Sequence, residues 1–139
     1  MEFPFFKRDK TGRLNRRLAV VVDDEPDVCQ IVQATLEGAG FGVRTAHDGV
    51  AGLETVRSTH PQVIVLDIKM PRMNGYEMLA ALRADPRTKD IPVVVMTSLT
   101  DPSEKTDEQW RESLGVAGFL SKPFDPADLL AAVRQAVGD

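Results

Sequence analysis

Leu18-Ala19-Val20-Val21-Val22-Asp23-Asp24-Glu25-Pro26 is the stretch that decides the fold. Its five apolar residues, three of them β-branched, stop abruptly at three acids and a proline, the pattern of a short strand buried on both faces. Val28, Ile31, Val32, Thr35 and Leu36 then recur at helical spacing, and Gly38 and Gly40 supply a C-terminal stop. The same alternation repeats along the chain. Phe41 to Ala46 reads as a second strand, Asp48 as the cap of a helix running through Val56, and Val63-Ile64-Val65-Leu66 as a third strand. Tyr76, Leu79, Ala80 and Leu82 mark a third helix, and Pro92 to Met96 a fourth strand. Asp101-Pro102-Ser103-Glu104 has the form of a helix start, with Trp110 and Leu114 as the anchors of an otherwise polar helix. Gly118-Phe119-Leu120 gives a fifth strand, and Asp125-Pro126-Ala127-Asp128 opens a last helix whose Leu129, Leu130, Val133 and Val137 form one face. Strands this apolar, alternating with helices, predict an α/β domain: a five-stranded parallel sheet, doubly wound as (βα)5.

Length and composition agree with one such domain, since the chain has 139 residues, 42% hydrophobic and 27% charged, without repeats or low-complexity tracts. Its longest apolar runs are far below the ~18 residues of a membrane span. The start, Met1-Glu2-Phe3-Pro4-Phe5-Phe6-Lys7, has the wrong charge order for a secretory signal, so a cytoplasmic location is expected. Cys29 is the single cysteine and there are two histidines, which excludes an internal disulfide and a four-ligand Cys/His zinc site. Any metal must be held by oxygens. The net charge of -4 hides an asymmetry: residues 1–17 carry Lys7, Arg8, Lys10, Arg13, Arg16 and Arg17 against Glu2 and Asp9, leaving 11 basic and 19 acidic side chains in residues 18–139. An acidic body offers no footprint for nucleic acid. Residues 1–17 read as a basic, flexible extension whose Phe3, Phe5 and Phe6 suit either an anionic membrane surface or a partner, and residues 18–139 as the domain.

In an open parallel sheet the ligand site lies outside the carboxyl ends of the strands. The residues there are Asp23 and Asp24, Asp67, Thr97 and Lys122. Gathered carboxylates repel one another and call for a cation, and a hard divalent ion takes carboxylates, a backbone carbonyl and waters. Mg²⁺ is the natural candidate, with Mn²⁺ as an alternative. A metal, a lysine and a hydroxyl together equip a site for phosphoryl transfer, in which a carboxylate can attack phosphorus to give an aspartyl phosphate. Asp67, standing alone opposite the adjacent Asp23 and Asp24, is the best nucleophile.

Asp67-Ile68-Lys69-Met70-Pro71-Arg72-Met73-Asn74-Gly75, preceded by Asp23-Asp24-Glu25 and followed by Met96-Thr97-Ser98 and Phe119-Leu120-Ser121-Lys122-Pro123-Phe124, resembles the receiver domain of two-component response regulators over residues 18–137. The likeness is to the single-domain, chemotaxis-regulator type, and it implies a flavodoxin-like fold. It further implies that Asp67 takes a phosphoryl group from a histidine kinase or histidine phosphotransfer protein. Asp24, Asp67 and the backbone carbonyl of Lys69 would ligate Mg²⁺, with Asp23 acting through water. Thr97 would turn toward the phosphate, Phe119 would pack into the space so vacated, Lys122 would pair with phosphate oxygens, and the Lys122–Pro123 peptide bond would be cis. Lys69 and Leu99 occupy the positions that tune hydrolysis in the family, and neither can orient water as a base, which implies a long-lived phosphoryl group. The expected readout face is the fourth helix, fifth strand and fifth helix.

The resemblance implies a stand-alone switch rather than an enzyme, signalling through a protein partner or a phosphorylation-dependent homodimer. Two other readings stay open. A Mg²⁺-dependent aspartyl-phosphate phosphatase of the haloacid dehalogenase type uses similar groups, but needs Asp-x-Asp after the first strand. A receiver fold serving only as a constitutive docking module would not need the full acidic set. His47 and His60 read as surface residues, and Gly38-Ala39-Gly40-Phe41-Gly42, which follows a helix and precedes a strand, as a turn rather than a nucleotide loop.

Overall fold

The computed structural model describes residues 6–8, 14–70, 72–98 and 115–138. Five parallel strands, β3 (Leu18–Val22), β4 (Gly42–Ala46), β5 (Val63–Asp67), β6 (Val93–Thr97) and β7 (Gly118–Ser121), form one sheet in the order β4-β3-β5-β6-β7. Every residue of β3, β5 and β6 is buried, as expected for strands covered on both faces. Because side chains alternate along a strand, the sheet supports two cores. Val20, Val22, Ile64, Leu66, Val93 and Val95 pack with Leu53 and Val56 of α2 (Gly49–Thr59) and with Met78, Leu79 and Leu82 of α3 (Gly75–Ala84). On the other side Ala19, Val21, Val63, Val65, Val94 and Met96 pack with Val32 and Leu36 of α1 (Pro26–Gly38) and with Leu129 and Val133 of α4 (Pro126–Val137). The fold is the expected doubly wound flavodoxin-like one.

Helix boundaries follow local chemistry. Asp48 accepts a hydrogen bond from the Ala51 amide at 2.8 Å, and Asp125 caps α4 through the Ala127 amide at 2.9 Å. Asn74 and Glu77 form a reciprocal capping box at the start of α3. Phe41 lies just outside β4, buried in the α1/α4 core, so the second strand starts one residue later than its apolar pattern suggests. The helix expected from Asp101, with Trp110 and Leu114, and the tuning residue Leu99 lie outside the described residues. Ahead of the sheet, β1 (Phe6–Arg8) pairs antiparallel with β2 (Leu14–Arg16), strands that the sequence pattern does not announce. Among the described residues no helix is long and apolar enough to cross a membrane.

Arg83 near the end of α3 joins three segments. Its guanidinium donates to the carbonyls of Lys89 (2.7 Å), Ile91 (2.9 Å) and Gly115 (3.2 Å), tying the helix to the approaches of β6 and β7. Arg83→Ala is expected to cost about 2 kcal/mol in urea unfolding, since charged donors to carbonyls are lost while those acceptors stay partly desolvated. Arg83→Lys should recover less than half of that, because one ammonium cannot span three carbonyls. Equal stability of Arg83→Ala and the unsubstituted protein would refute this role.

Candidate functional site

The strand order reverses between β3 and β5: the chain leaves β3 for β4 on one side and later returns to β5 on the other. That crevice is where an open α/β sheet presents its ligand site. Asp23 follows β3 directly and Asp67 ends β5. Backbone bonds hold these strand ends, with the Asp23 amide donating to Ala46 (3.0 Å), Ile68 to Met96 (3.2 Å) and Lys122 to Thr97 (2.9 Å). The loop after Asp67 folds back tightly, since the Gly75 amide donates to the Ile68 carbonyl at 2.9 Å. A Cβ on Gly75 would stand 2.5 Å from the Asp67 carbonyl oxygen, so only glycine lets α3 begin this close to the acid.

Lys122 is the centre of the arrangement. Its Nζ lies 2.6 Å from Asp23 Oδ2, 3.5 Å from Asp67 Oδ2 and 3.3 Å from Glu25 Oε1. Asp23 is fully buried and Asp67 is 3% exposed, so the lysine bridges two desolvated carboxylates. The second oxygen of Asp23 accepts from the Glu25 amide at 2.9 Å. Burial raises the Asp23 pKa more than the Lys122 and Glu25 bonds lower it. Asp67 is pushed up to about 6, first by burial and then by the charge of Asp23, against the opposing pull of Lys122 and a Lys69 amide. Burial alone would lower the Lys122 pKa, but its bond to Asp23 and the charges of Asp23, Asp67 and Glu25 outweigh this and raise it. Two acids held above their ordinary range beside a lysine held above its own mark a site short of positive charge.

The donor set suits a hard cation. Asp23, Asp24 and Glu25 each offer an oxygen within 4.8 Å of one another, with Asp24 and Glu25 exposed. Asp23, Glu25 and Asp67 share one ammonium while Asp24 adds a further negative charge beside Asp23, and the ligand atoms these acids offer are oxygens, as Mg²⁺ or Mn²⁺ requires. Thr97 is 1% exposed at the end of β6, and its buried Oγ1 has no hydrogen-bond partner among the described residues. A buried hydroxyl left unpaired is costly unless a ligand completes it. Phe119 stands opposite Val95 on β7, half-buried against the α2/α3 core, and the Lys122–Pro123 bond is cis.

Some members of the site escape sequence reasoning. His47 is exposed, as read, yet its Nδ1 lies 3.1 Å from the Asp23 carbonyl oxygen, and the Cys29 thiol donates to the same oxygen at 3.4 Å. Burial, and then the Asp23 charge, push the Cys29 thiol up to about 11, so it stays protonated and able to donate. Arg72, at a left-handed φ of 65°, pairs with Asp48 at 3.3 Å and links the loop after Asp67 to the cap of α2. These bonds run to backbone atoms or across loops, where residue spacing carries no signal.

The family model of the response regulator receiver domain matches residues 19–134. Among curated proteins, the DNA-binding dual master transcriptional regulator RpaA of Synechocystis is 37% identical over 115 residues, covering 83% of this chain and 46% of that one. The DNA-binding response regulator MtrA of Mycolicibacterium smegmatis is 34% identical, covering 86% of this chain and 50% of its own. The chain thus spans about half the length of these relatives. Among solved structures, the chemotaxis response regulator CheY4 of Vibrio cholerae superposes with a TM-score of 0.78 at 34% identity, covering 88% of this chain and 99% of that one. A response regulator receiver domain protein of Clostridium thermocellum gives 0.77 at 26% identity, covering 88% and 94%. With the strand order, the acid pair at the switch point and the bridging lysine already in place, these matches show that the chain belongs to the response regulator receiver domain family.

Proposed function

We propose that Asp67 is the phosphoacceptor of a two-component switch. The family supports a phosphoacceptor signalling module, and the observation that carries the residue-level reading is Lys122 bridging Asp23 and Asp67 at the switch point. A carboxylate oxygen of Asp67 attacks phosphorus in a phosphohistidine of a histidine kinase or phosphotransfer protein. The new O–P bond forms as the P–N bond breaks, and the released imidazole keeps the electron pair and takes up a proton. A Mg²⁺ or Mn²⁺ ion held by Asp23, Asp24, Asp67 and the Lys69 carbonyl would supply charge neutralisation for the phosphoryl oxygens. Lys122 pairs with one of those oxygens and gives up part of its hold on Asp67. Thr97 donates its hydroxyl to another, and Phe119 follows into the space this leaves. The new dianion thereby biases two conformations, and the biased one is read by a protein partner or a second copy of the chain.

Incubation with Mg²⁺ and acetyl phosphate tests this reading: one phosphoryl group per chain is expected, with no sustained release of phosphate from a generic phosphomonoester. Continuing turnover of the phosphomonoester would instead support the phosphatase, and a protein inert to both reagents the docking module. Lys69 and Leu99 extend the proposal to lifetime. Neither can activate water, so Lys69→Glu is expected to shorten the half-life of the phosphorylated protein on the order of 10-fold. Unchanged decay in Lys69→Glu and Leu99→Gln would remove that part of the account.

A further inference from the structure

His47 follows β4 directly and takes no step in the phosphoryl transfer. The register of Val22 with Ala46 brings it beside Asp23, whose amide donates to the Ala46 carbonyl at 3.0 Å. Its Nδ1 lies 3.1 Å from the Asp23 carbonyl oxygen and 3.8 Å from Cys29 Sγ, and that thiol lies 3.4 Å from the same oxygen. One arrangement of protons suits all three atoms. A bare Nδ1 at 3.1 Å would set its lone pair against those of the carbonyl, so Nδ1 carries a proton and donates. The thiol then donates to the carbonyl as well, which accepts twice. Cys29 is buried and arrives with the packing of α1, whereas the His47 ring is exposed, so its bond to Asp23 is no by-product of core burial.

We propose that His47 is a positioning residue for the divalent-cation site: its Nδ1–H, acting through the Asp23 carbonyl, sets the direction in which Asp23 and Asp24 present their carboxylates. The inference rests on the reading of those two acids as cation-holding. A peptide unit is planar, so the Asp23 carbonyl and the Asp24 amide turn together. The peptide before Asp23 is held by Ala46 and the peptide after it by His47 and Cys29, which fixes both backbone torsions of Asp23. The side-chain bonds of Asp23 do not supply this. Oδ2 accepts from Lys122, the group that shifts toward the phosphoryl oxygens in the proposed transfer, and Oδ1 accepts from the Glu25 amide two residues on. The backbone hold persists when Lys122 shifts. Asp24 is exposed, so its direction depends on the backbone that carries it. Outer partners that orient the groups around a metal in this way tune its affinity.

Calorimetric titration of the full chain with Mg²⁺ tests the role, alongside urea unfolding without Mg²⁺. His47→Ala is expected to weaken Mg²⁺ binding about 10-fold, the low end for loss of an outer partner because Cys29 still donates. The Mg²⁺ concentration that half-saturates phosphorylation by acetyl phosphate should rise in step. His47→Asn puts an amide nitrogen one bond beyond Cγ, where Nδ1 stands, and should restore the affinity to within about two-fold, whereas His47→Gln puts it where Nε2 stands and should not. The Asn and Gln variants should unfold at similar urea concentrations, so a difference in their Mg²⁺ affinity reports the bond rather than stability. Nitrogen NMR of the Mg²⁺-free protein should show a proton on His47 Nδ1. Unchanged Mg²⁺ affinity in His47→Ala, equal affinities in His47→Asn and His47→Gln, or a bare Nδ1 would overturn the role of His47 and leave the cation site standing. An unsubstituted protein that binds no Mg²⁺ would overturn the cation site and this inference together.

Discussion

Lys122→Ala is expected to slow phosphorylation by acetyl phosphate on the order of 100-fold, the usual cost of removing one charged donor aimed at developing charge. The lysine stands 2.6 Å from Asp23 and 3.5 Å from Asp67, so its loss takes away both the group that would meet the phosphoryl oxygens and the cation that holds two buried acids together. With that cation gone the Asp67 pKa should rise further above about 6, and the rate profile should move to higher pH in the variant. Lys122→Arg should recover little, because a planar guanidinium does not replace a compact ammonium between two carboxylates. A rate within about three-fold of the unsubstituted protein, with folding confirmed by circular dichroism, would show that Lys122 is structural only.

Asp67→Asn is expected to stabilise the Mg²⁺-free protein at pH 8 by about 2 to 3 kcal/mol, or roughly 5 to 10 °C in melting temperature. The sign comes from linkage. The folded state holds the Asp67 pKa near 6 against an ordinary 3.8, so between these values it binds more protons than the unfolded chain. That contribution is complete below about pH 4 and is lost as pH rises through about 6. Asparagine cannot ionise, does not repel Asp23, and escapes the loss. The two proteins should therefore converge near pH 4 and separate above 6. Millimolar Mg²⁺ should close or reverse the gap, since it stabilises the form that binds it. Parallel stability curves for the two proteins across this range would contradict a raised Asp67 pKa.

The fold was legible because its strands are unmixed apolar runs and its helices carry their own caps. Val20, Val21 and Val22 cannot be placed half-exposed, and Asp48 and Asp125 do cap α2 and α4 as their positions suggest. The candidate site was legible for a geometric reason: a parallel sheet brings every strand's C-terminal end to one edge, so Asp23, Asp67, Thr97 and Lys122 converge although they span 100 positions of chain. What stayed hidden depends on partners that spacing does not encode. Arg83 reaches three carbonyls in two other segments, and His47 and Cys29 meet on the carbonyl of Asp23. Glu25, given no role of its own in the sequence reading, joins the Lys122 cluster because β7 delivers the lysine there. The β1–β2 ribbon escaped because strands of three residues, each with a single apolar position, are too short to show an alternation of apolar and polar positions.

Intact mass spectrometry after incubation with Mg²⁺ and acetyl phosphate, on the unsubstituted protein and on Asp67→Asn, decides whether Asp67 is the phosphoacceptor. A labile gain of one phosphoryl mass is expected in the unsubstituted chain, dependent on Mg²⁺, and none in Asp67→Asn. An equal gain in both, or no gain in a protein shown by calorimetry to bind Mg²⁺, would contradict that role.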